Sequence, residues 1–291
     1  MPVEVGGLAA QFARRGDISA RSVLVTVFGD TIAPLGGRVW LSDLFDLLAP
    51  FPFTERLVRT SMSRLVAEGW CVPEKVGRRS RYALTDAAAS ATDAAARLIY
   101  SRSDHDCSGE WTVVFVEDDD AMSTRLQWHG FARLARAVVA MPDDGSGRAG
   151  TILDSHDVSK RYPVATARFS NLEVLGAGGR ISASPEFADL VAGYERFVQQ
   201  YSTLEAPALE KLGSADAFAV RTMVVHELRR LRLRDPDLPA GLLPSPWIGA
   251  EAFQLAARIY RTVDAGAWRW VCSKTSTDPG KIDTEVAQRF A

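Results

Sequence analysis

From residue 19 onward, short apolar stripes of helical period give way to pieces with strand-like alternation. In "SARSVLVTVFGD", Val23, Leu24, Val27 and Phe28 fall on one helical face, and Gly29 suits a C-terminal stop. The β-branched content leaves a strand open as the alternative. Residues 38–41 read as a short strand. Ser42 then caps "SDLFDLLAP", with Leu44, Leu47 and Leu48 facing in and Pro50 ending the helix. The third element, "TERLVRTSMSRLVAEG", runs from a Thr54 N-cap to Gly69, with Glu55 in its first turn. Leu57, Val58, Met62, Leu65 and Val66 form its apolar stripe. On the other side Arg56, Arg59, Thr60 and Ser63 recur at i, i+3, i+4, i+7, with Arg64 beside them. Long cations and small hydroxyls on one face can bond phosphates and base edges.

Next, Trp70 and Val72 alternate with Cys71 and Pro73, and Tyr82 and Leu84 alternate with Arg81 and Ala83. This predicts a two-stranded hairpin with one buried face. Its tip is "VGRRS", where Gly77 permits a tight turn. Helix, turn, basic-faced helix and basic hairpin follow in the order of a winged helix-turn-helix. Lys75, Arg78, Arg79 and Arg81 would then grip the DNA backbone beside a helix in the major groove. The alanine-rich stretch "TDAAASATDAAARLIYSR", capped by Asp86, leads out of this domain.

"SDHDCSGE" breaks the pattern and marks a boundary. Beyond it, "WTVVFVE" reads as a strand, "AMSTRLQWHGFARL" as a helix and "RAVVAMP" as a strand, with "TILDS" and "VATARFS" as further strands. That order predicts a small ferredoxin-like α+β domain. From Ser184, a cap followed by Pro185, the chain turns helical. Phe187, Leu190, Val191, Tyr194, Phe197, Val198 and Tyr201 recur at 3-and-4 spacing and read as core. A second helix runs from about residue 214 to 232, then a Pro-rich turn, then a last helix over about 251–270. The tail from Ser273 is polar and reads as mobile. The expected fold is thus α+β and multidomain. A mobile arm covers 1–18, a winged helix-turn-helix with its linker helix 19–102, a ferredoxin-like domain 103–175, and a C-terminal helical domain 176–291.

Charge sharpens this picture in one place. The 291 residues carry a formal net charge of -2, yet between residues 54 and 82 seven cations face three anions, a local net of +4. A local basic patch is what a phosphate backbone needs. No apolar run reaches the roughly 18 residues of a membrane span, and the N-terminus lacks the pattern of a signal peptide. Cys71, Cys107 and Cys272 lie far apart, which suggests reduced thiols in the cytoplasm and neither a disulfide framework nor a zinc site.

"GGRVWLSDLFDLLAPF", "TERLVRTSMSRLVAEGW" and "VGRRSRYALTDA" resemble the PaaX family, repressors of phenylacetate catabolism. "VVHELRRLRLRDPDLPAGLLPSPWIG" is similar to a second signature of that family, and the two stretches stand in the same order. The chain departs from the family at "PFPF", where a glycine is expected before the basic-faced helix. Arg81 stands where an aromatic is usual, and "WIG" replaces Trp-Pro-Gly. The resemblance implies a homodimeric transcriptional repressor that reads an inverted-repeat operator in double-stranded DNA. It also implies an aryl- or acyl-CoA effector such as phenylacetyl-CoA, and no cofactor. Such a ligand needs cationic donors for its phosphates and an apolar pocket for its acyl end. Lys160, Arg161 and Arg168, with His226, Arg230 and Trp247, are the candidates for those roles. Alternatively, "HELRR" docks helix against loop through Arg230 and Asp235 or Asp237.

Other motifs are weaker. His226-Glu227 begins like a zinc-protease helix, but position 230 is Arg where a second histidine is required. "HDC" at 105–107 and "EDDD" at 117–120 offer isolated ligands without a second cluster. "GAGGR" at 176–180 has the wrong spacing for a phosphate loop. Two rivals to the repressor reading remain. One is an enzyme acting on CoA thioesters or nucleic acid with a winged accessory domain. The other is an interaction module that recruits another regulator. The basic helix face, and the absence of a recognisable nucleophile–base set, favour the repressor.

Overall fold

A computed structural model describes residues 18–101, 109–117, 119–169, 181, 184–275 and 289–290. The expected arm up to residue 17, "HDC", "GAGGR" and most of the tail lie outside the described residues. The fold is mixed α+β, with two small antiparallel sheets and a helical C-terminal region. In place of consecutive domains, the chain forms two interleaved units. One comprises 1–101, 200–229 and 253–291; the other comprises 102–199 and 230–252.

The first unit opens with α1, Ala20–Val27, whose N-cap Ser19 accepts a bond from the Ser22 N–H. Gly29 does not end it. The chain continues through a π turn, Phe28–Ile32, and a 3-10 turn, Ala33–Leu35, and stops at Gly36, where φ is 88°. Phe28, Asp30, Thr31 and Ile32 are all buried, so the wide turn keeps apolar side chains in the core while aiming Asp30 inward. The strand β1, Arg38–Trp40, leads into α2, Leu41–Leu47. Ser42 lies inside α2, and Trp40 holds the cap position expected of it. In α3, Glu55–Ala67, Thr54 is the cap and accepts from the Leu57 N–H at 3.2 Å. Val58, Met62 and Leu65 are buried, whereas Leu57, expected to face in, is exposed.

The hairpin is β2, Cys71–Val76, and β3, Arg79–Leu84, paired from Cys71↔Leu84 to Val76↔Arg79. β1 adds on the other side of β3, giving the order β1-β3-β2. The hairpin lacks the expected apolar buried face. Cys71 and Ala83 are its buried residues, and Val72 is 45% exposed. Burial pushes the Cys71 thiol up to about 11, which suits a packed and unreactive sulfur. In α4, Asp86–Tyr100, Thr85 is the cap, one residue before the expected Asp86.

The later helices complete this unit. In α9, Ser214–Arg232, every residue from 217 to 228 is buried. Two of the polar ones among them reach across to α1 and the π turn. His226 Nδ1 lies 2.9 Å from Thr26 Oγ1, and Arg221 Nη2 lies 3.0 Å from Asp30 Oδ2. In α10, Ile248–Lys274, Gly266 admits α9 closely, since a Cβ there would lie 2.8 Å from that of Ala217. The chain returns at Arg289 and Phe290, against the expectation of a mobile tail. Phe290 is buried against Tyr100, Phe253 and Tyr260, and Arg289 lies 3.0 Å from Asp30 Oδ1.

The second unit holds β4, Glu110–Phe115; α5, Asp120–Gln127; β5, Ala132–Ala135; β6, Val138–Pro142; α6, Arg148–Ser155; and β7, Val164–Arg168. The sheet order is β5-β6-β4-β7, all antiparallel. Two expectations fail here. "TILDS" lies in a helix, because Ile152 and Leu153 pack on the Val114, Met122 and Leu126 cluster from a helical turn. "FARL" leaves the helix for β5 after Gly130, whose φ is 95°. That left-handed φ, and the Asp235 carbonyl that a Cβ would meet at 3.0 Å, favour glycine at this position. α7, Pro185–Tyr201, starts at Ser184, whose Oγ accepts from the Phe187 N–H. A short helix, α8, Ala206–Leu209, precedes α9. No helix among the described residues is long and apolar enough to cross a membrane.

Candidate nucleic-acid interface

Packing of Val58, Met62 and Leu65 leaves the opposite side of α3 in solvent. Arg56, Arg59, Thr60, Ser63 and Arg64 are all exposed there. Thr60 Oγ1 donates to the Arg56 carbonyl at 2.9 Å, which fixes its hydroxyl against the helix. Arg59 lies 3.5 Å from Glu55, its guanidinium 4.7 Å over the Phe45 ring of α2. The helix pair thus positions Arg59, while the exposed ion pair holds it only weakly.

The four hairpin cations fall into two classes. Lys75 and Arg78, at the tip, are exposed, with no ion pair recorded for either among the described residues. Arg79 is held. Its Nη2 donates to Ser42 Oγ at 3.1 Å, lies 3.5 Å from Asp43, and its guanidinium sits 4.4 Å over the Trp40 ring. Arg81 is neutralised by Glu74, with Nε donating to Oε2 at 2.7 Å and Nη2 at 2.6 Å from the same oxygen. Glu74 also faces Arg38 at 3.8 Å. Trp40, Ser42, Asp43 and Glu74 therefore tie the hairpin to β1 and α2, a role the sequence reading missed. The one available signal was Arg81 pairing across the hairpin with Glu74, which the register Glu74↔Arg81 makes direct.

The six ligand candidates do not form one cluster. His226 is fully buried in the first unit with Thr26, because α9 is enclosed on every side there. The other five belong to the second unit. Lys160 pairs with Asp157 at 2.7 Å, and Arg168 lies 3.4 Å from Glu110. Arg161 lies 3.1 Å from the Tyr162 hydroxyl and 3.8 Å from Asp119. Arg230 is exposed, and Arg232 reaches the loop, at 3.6 Å from Asp235 and 3.3 Å from Asp237. Trp247 stacks on Phe187 and meets Tyr194 edge-on. A Cβ on Gly249 would meet the Trp247 ring at 2.5 Å, so this ring packs within the protein. Among the described residues no three metal-ligating side chains gather.

Residues 19–88 match the PaaX-like protein family, and residues 186–273 match the PaaX-like protein C-terminal domain. The transcriptional repressor PaaX of Escherichia coli (strain K12) is 31% identical over 274 residues, spanning 91% of this chain and 87% of that protein. Among solved structures, the uncharacterized protein Rv0674 from Mycobacterium tuberculosis is similar, with a TM-score of 0.50 and 24% identity. The match covers 85% of this chain and 98% of that one.

Proposed function

The chain belongs to the PaaX-like family, and from that premise we propose that it is a sequence-specific DNA-binding repressor acting as a homodimer. Its kinship to a transcriptional repressor makes it a regulator and not an enzyme. In this reading α1 to α3 with the three-stranded sheet are a winged helix-turn-helix, and β2–β3 is the wing. The βαββαβ run with sheet order β5-β6-β4-β7 supports the ferredoxin-like reading of the second unit.

One observation carries the proposal. α3 buries Val58, Met62 and Leu65 and presents Arg56, Arg59, Thr60 and Ser63 together, beside a hairpin whose tip carries Lys75 and Arg78. Base-reading groups flanked by phosphate-binding cations are the two parts such an interface needs. A dimer would place two α3 helices on an inverted repeat, with half-sites about 10 bp apart or a multiple of it.

The family resemblance extends the reading to an aryl- or acyl-CoA thioester that releases the DNA and to a catabolic operon as target. Arg230, exposed on α9, remains a candidate contact for its phosphates. Release requires the ligand to prefer the DNA-incompetent state, and about 1.4 kcal/mol of preference gives a tenfold shift. Footprinting on DNA selected from a random pool tests the core of the proposal. Two protected half-sites one turn apart support it; uniform protection contradicts it. Titrating that complex with phenylacetyl-CoA, free CoA and phenylacetate tests the effector separately. No release by the thioester at millimolar concentration would remove the effector and leave the DNA claim standing.

A further inference from the structure

Leu57 lies at the edge of the stripe formed by Val58, Met62 and Leu65, yet it is 44% exposed. It sits in the first turn of α3, where its N–H donates to Thr54 Oγ1 at 3.2 Å. A single exposed leucine is ordinary on a protein surface. The surroundings of this one are not. Arg56 precedes it, Thr60 follows three residues later and Arg64 seven residues later, and all are exposed. At 3.6 residues per turn, positions i, i+3 and i+7 form one strip along a helix. Leu57, Thr60 and Arg64 therefore share one flank of the exposed face.

The groups of this flank ask different things of a partner. Guanidiniums take phosphate oxygens or guanine edges. Thr60 has committed its hydroxyl proton to the Arg56 carbonyl at 2.9 Å, which leaves its methyl for contact. An apolar side chain gains nothing from phosphates or from hydrogen-bonding base edges. The apolar group that base edges present in the major groove is the C5-methyl of thymine. Charge favours DNA over an apolar protein surface here, because such a surface would bury Arg56 and Arg64 without anions to meet them.

Resting on the reading of α3 as the helix that enters the major groove, we propose that Leu57 is a specificity-determining residue that packs on the 5-methyl group of a thymine in each half-site. Recognition helices bring their N-terminal residues to the base edges, and the first turn of α3 is where Leu57 stands. The methyl of Thr60 continues the apolar strip one turn further along. Arg56 and Arg64 flank the strip and hold the helix against the duplex. Leu57 thus adds to the polar readers a contact that hydrogen bonding cannot supply, one that separates thymine from the other bases by shape and apolarity.

Deoxyuridine differs from thymidine only in lacking that methyl. Each thymine of a selected operator is replaced by deoxyuridine in turn, and the affinity of the full chain is measured by fluorescence anisotropy. At one position in each half-site the replacement should weaken binding about fourfold, the worth of one buried methyl. Leu57→Ala should bind the unmodified operator at least as weakly as that and show no further loss at the same position. Leu57→Met, which keeps a long apolar side chain, should keep the sensitivity. Affinity for random DNA, the thermal melt and the mass by light scattering should be unchanged in both variants. The proposal is overturned if no thymine responds to loss of its methyl, or if Leu57→Ala responds as the natural chain does. It is also overturned if Leu57→Ala weakens selected and random DNA alike, or changes the mass, which would make Leu57 a backbone or protein contact. Selected and scrambled duplexes bound equally by the natural chain would remove the repressor reading and this inference together. Clear selectivity with no methyl dependence would remove this inference alone.

Discussion

Asp30 lies fully within the first unit, where an unpaired carboxylate would cost several kcal/mol. Burial pushes its carboxyl up, but Arg221 and Arg289 outweigh that and, with bonds from the Tyr100 and Tyr260 hydroxyls, hold it below the usual range. Removing one partner is worse than removing the pair. Arg221→Met should lower unfolding stability by about 3–5 kcal/mol in urea titrations, and Asp30→Asn combined with it should recover part of that loss. Because the folded carboxyl titrates below its unfolded value, its contribution is complete above about pH 4 and is lost as the pH falls further. Asp30→Asn should therefore flatten the acid limb of a stability–pH curve, and an unchanged limb would count against the network. On the DNA face, Arg59→Ala should reduce affinity for a selected operator more than for random DNA. Arg78→Ala should weaken both alike and reduce the salt slope by about one unit. Arg79→Ala should instead loosen the hairpin, since its guanidinium is committed to Ser42, Asp43 and Trp40. The exposed cations of α3 were legible from spacing. The commitment of Arg79 was not, because its partners lie 36 and 37 residues away and meet it only in the fold.

Caps and stripes carry most of what the sequence discloses about elements. Thr54 is read correctly because a hydroxyl before an amphipathic run has one favourable place, the free N–H groups of the first turn. Thr54→Ala should cost about 1 kcal/mol of stability, measurable as a shift in urea midpoint with unchanged slope. Gly29 misleads because a glycine with negative φ can sit in a buried continuous helix, and the true stop at Gly36 is the one with positive φ. "TILDS" misleads for a related reason. Five residues do not separate period 2 from period 3.6, and the side of the sheet that a segment packs on decides. Leu57 shows the limit of stripes, since an apolar residue at helical spacing can still end in solvent.

At the scale of the molecule, the sequence reading cut the chain into consecutive domains where the fold interleaves it. Thr26, Asp30, Leu47 and Phe51 pair with His226, Arg221, Trp270 and Phe218, contacts more than 160 residues apart in sequence. Nothing in local periodicity encodes such pairs. Residues 1–100 alone should therefore lack a cooperative thermal transition, because Asp30 would lose both arginines and α1 its cover. A sharp melt of that fragment by circular dichroism would show that the N-terminal part folds by itself. The full chain should be dimeric by light scattering at micromolar concentration; a monomer that still binds operator tightly would remove the two-half-site geometry. The account rests most heavily on specific DNA recognition by α3 and the hairpin. The direct measurement is fluorescence anisotropy of the full chain on its selected DNA and on a scrambled duplex of the same length, at about 150 mM salt. The account predicts at least a thousandfold tighter binding to the selected sequence. Equal affinity for the two duplexes would contradict it.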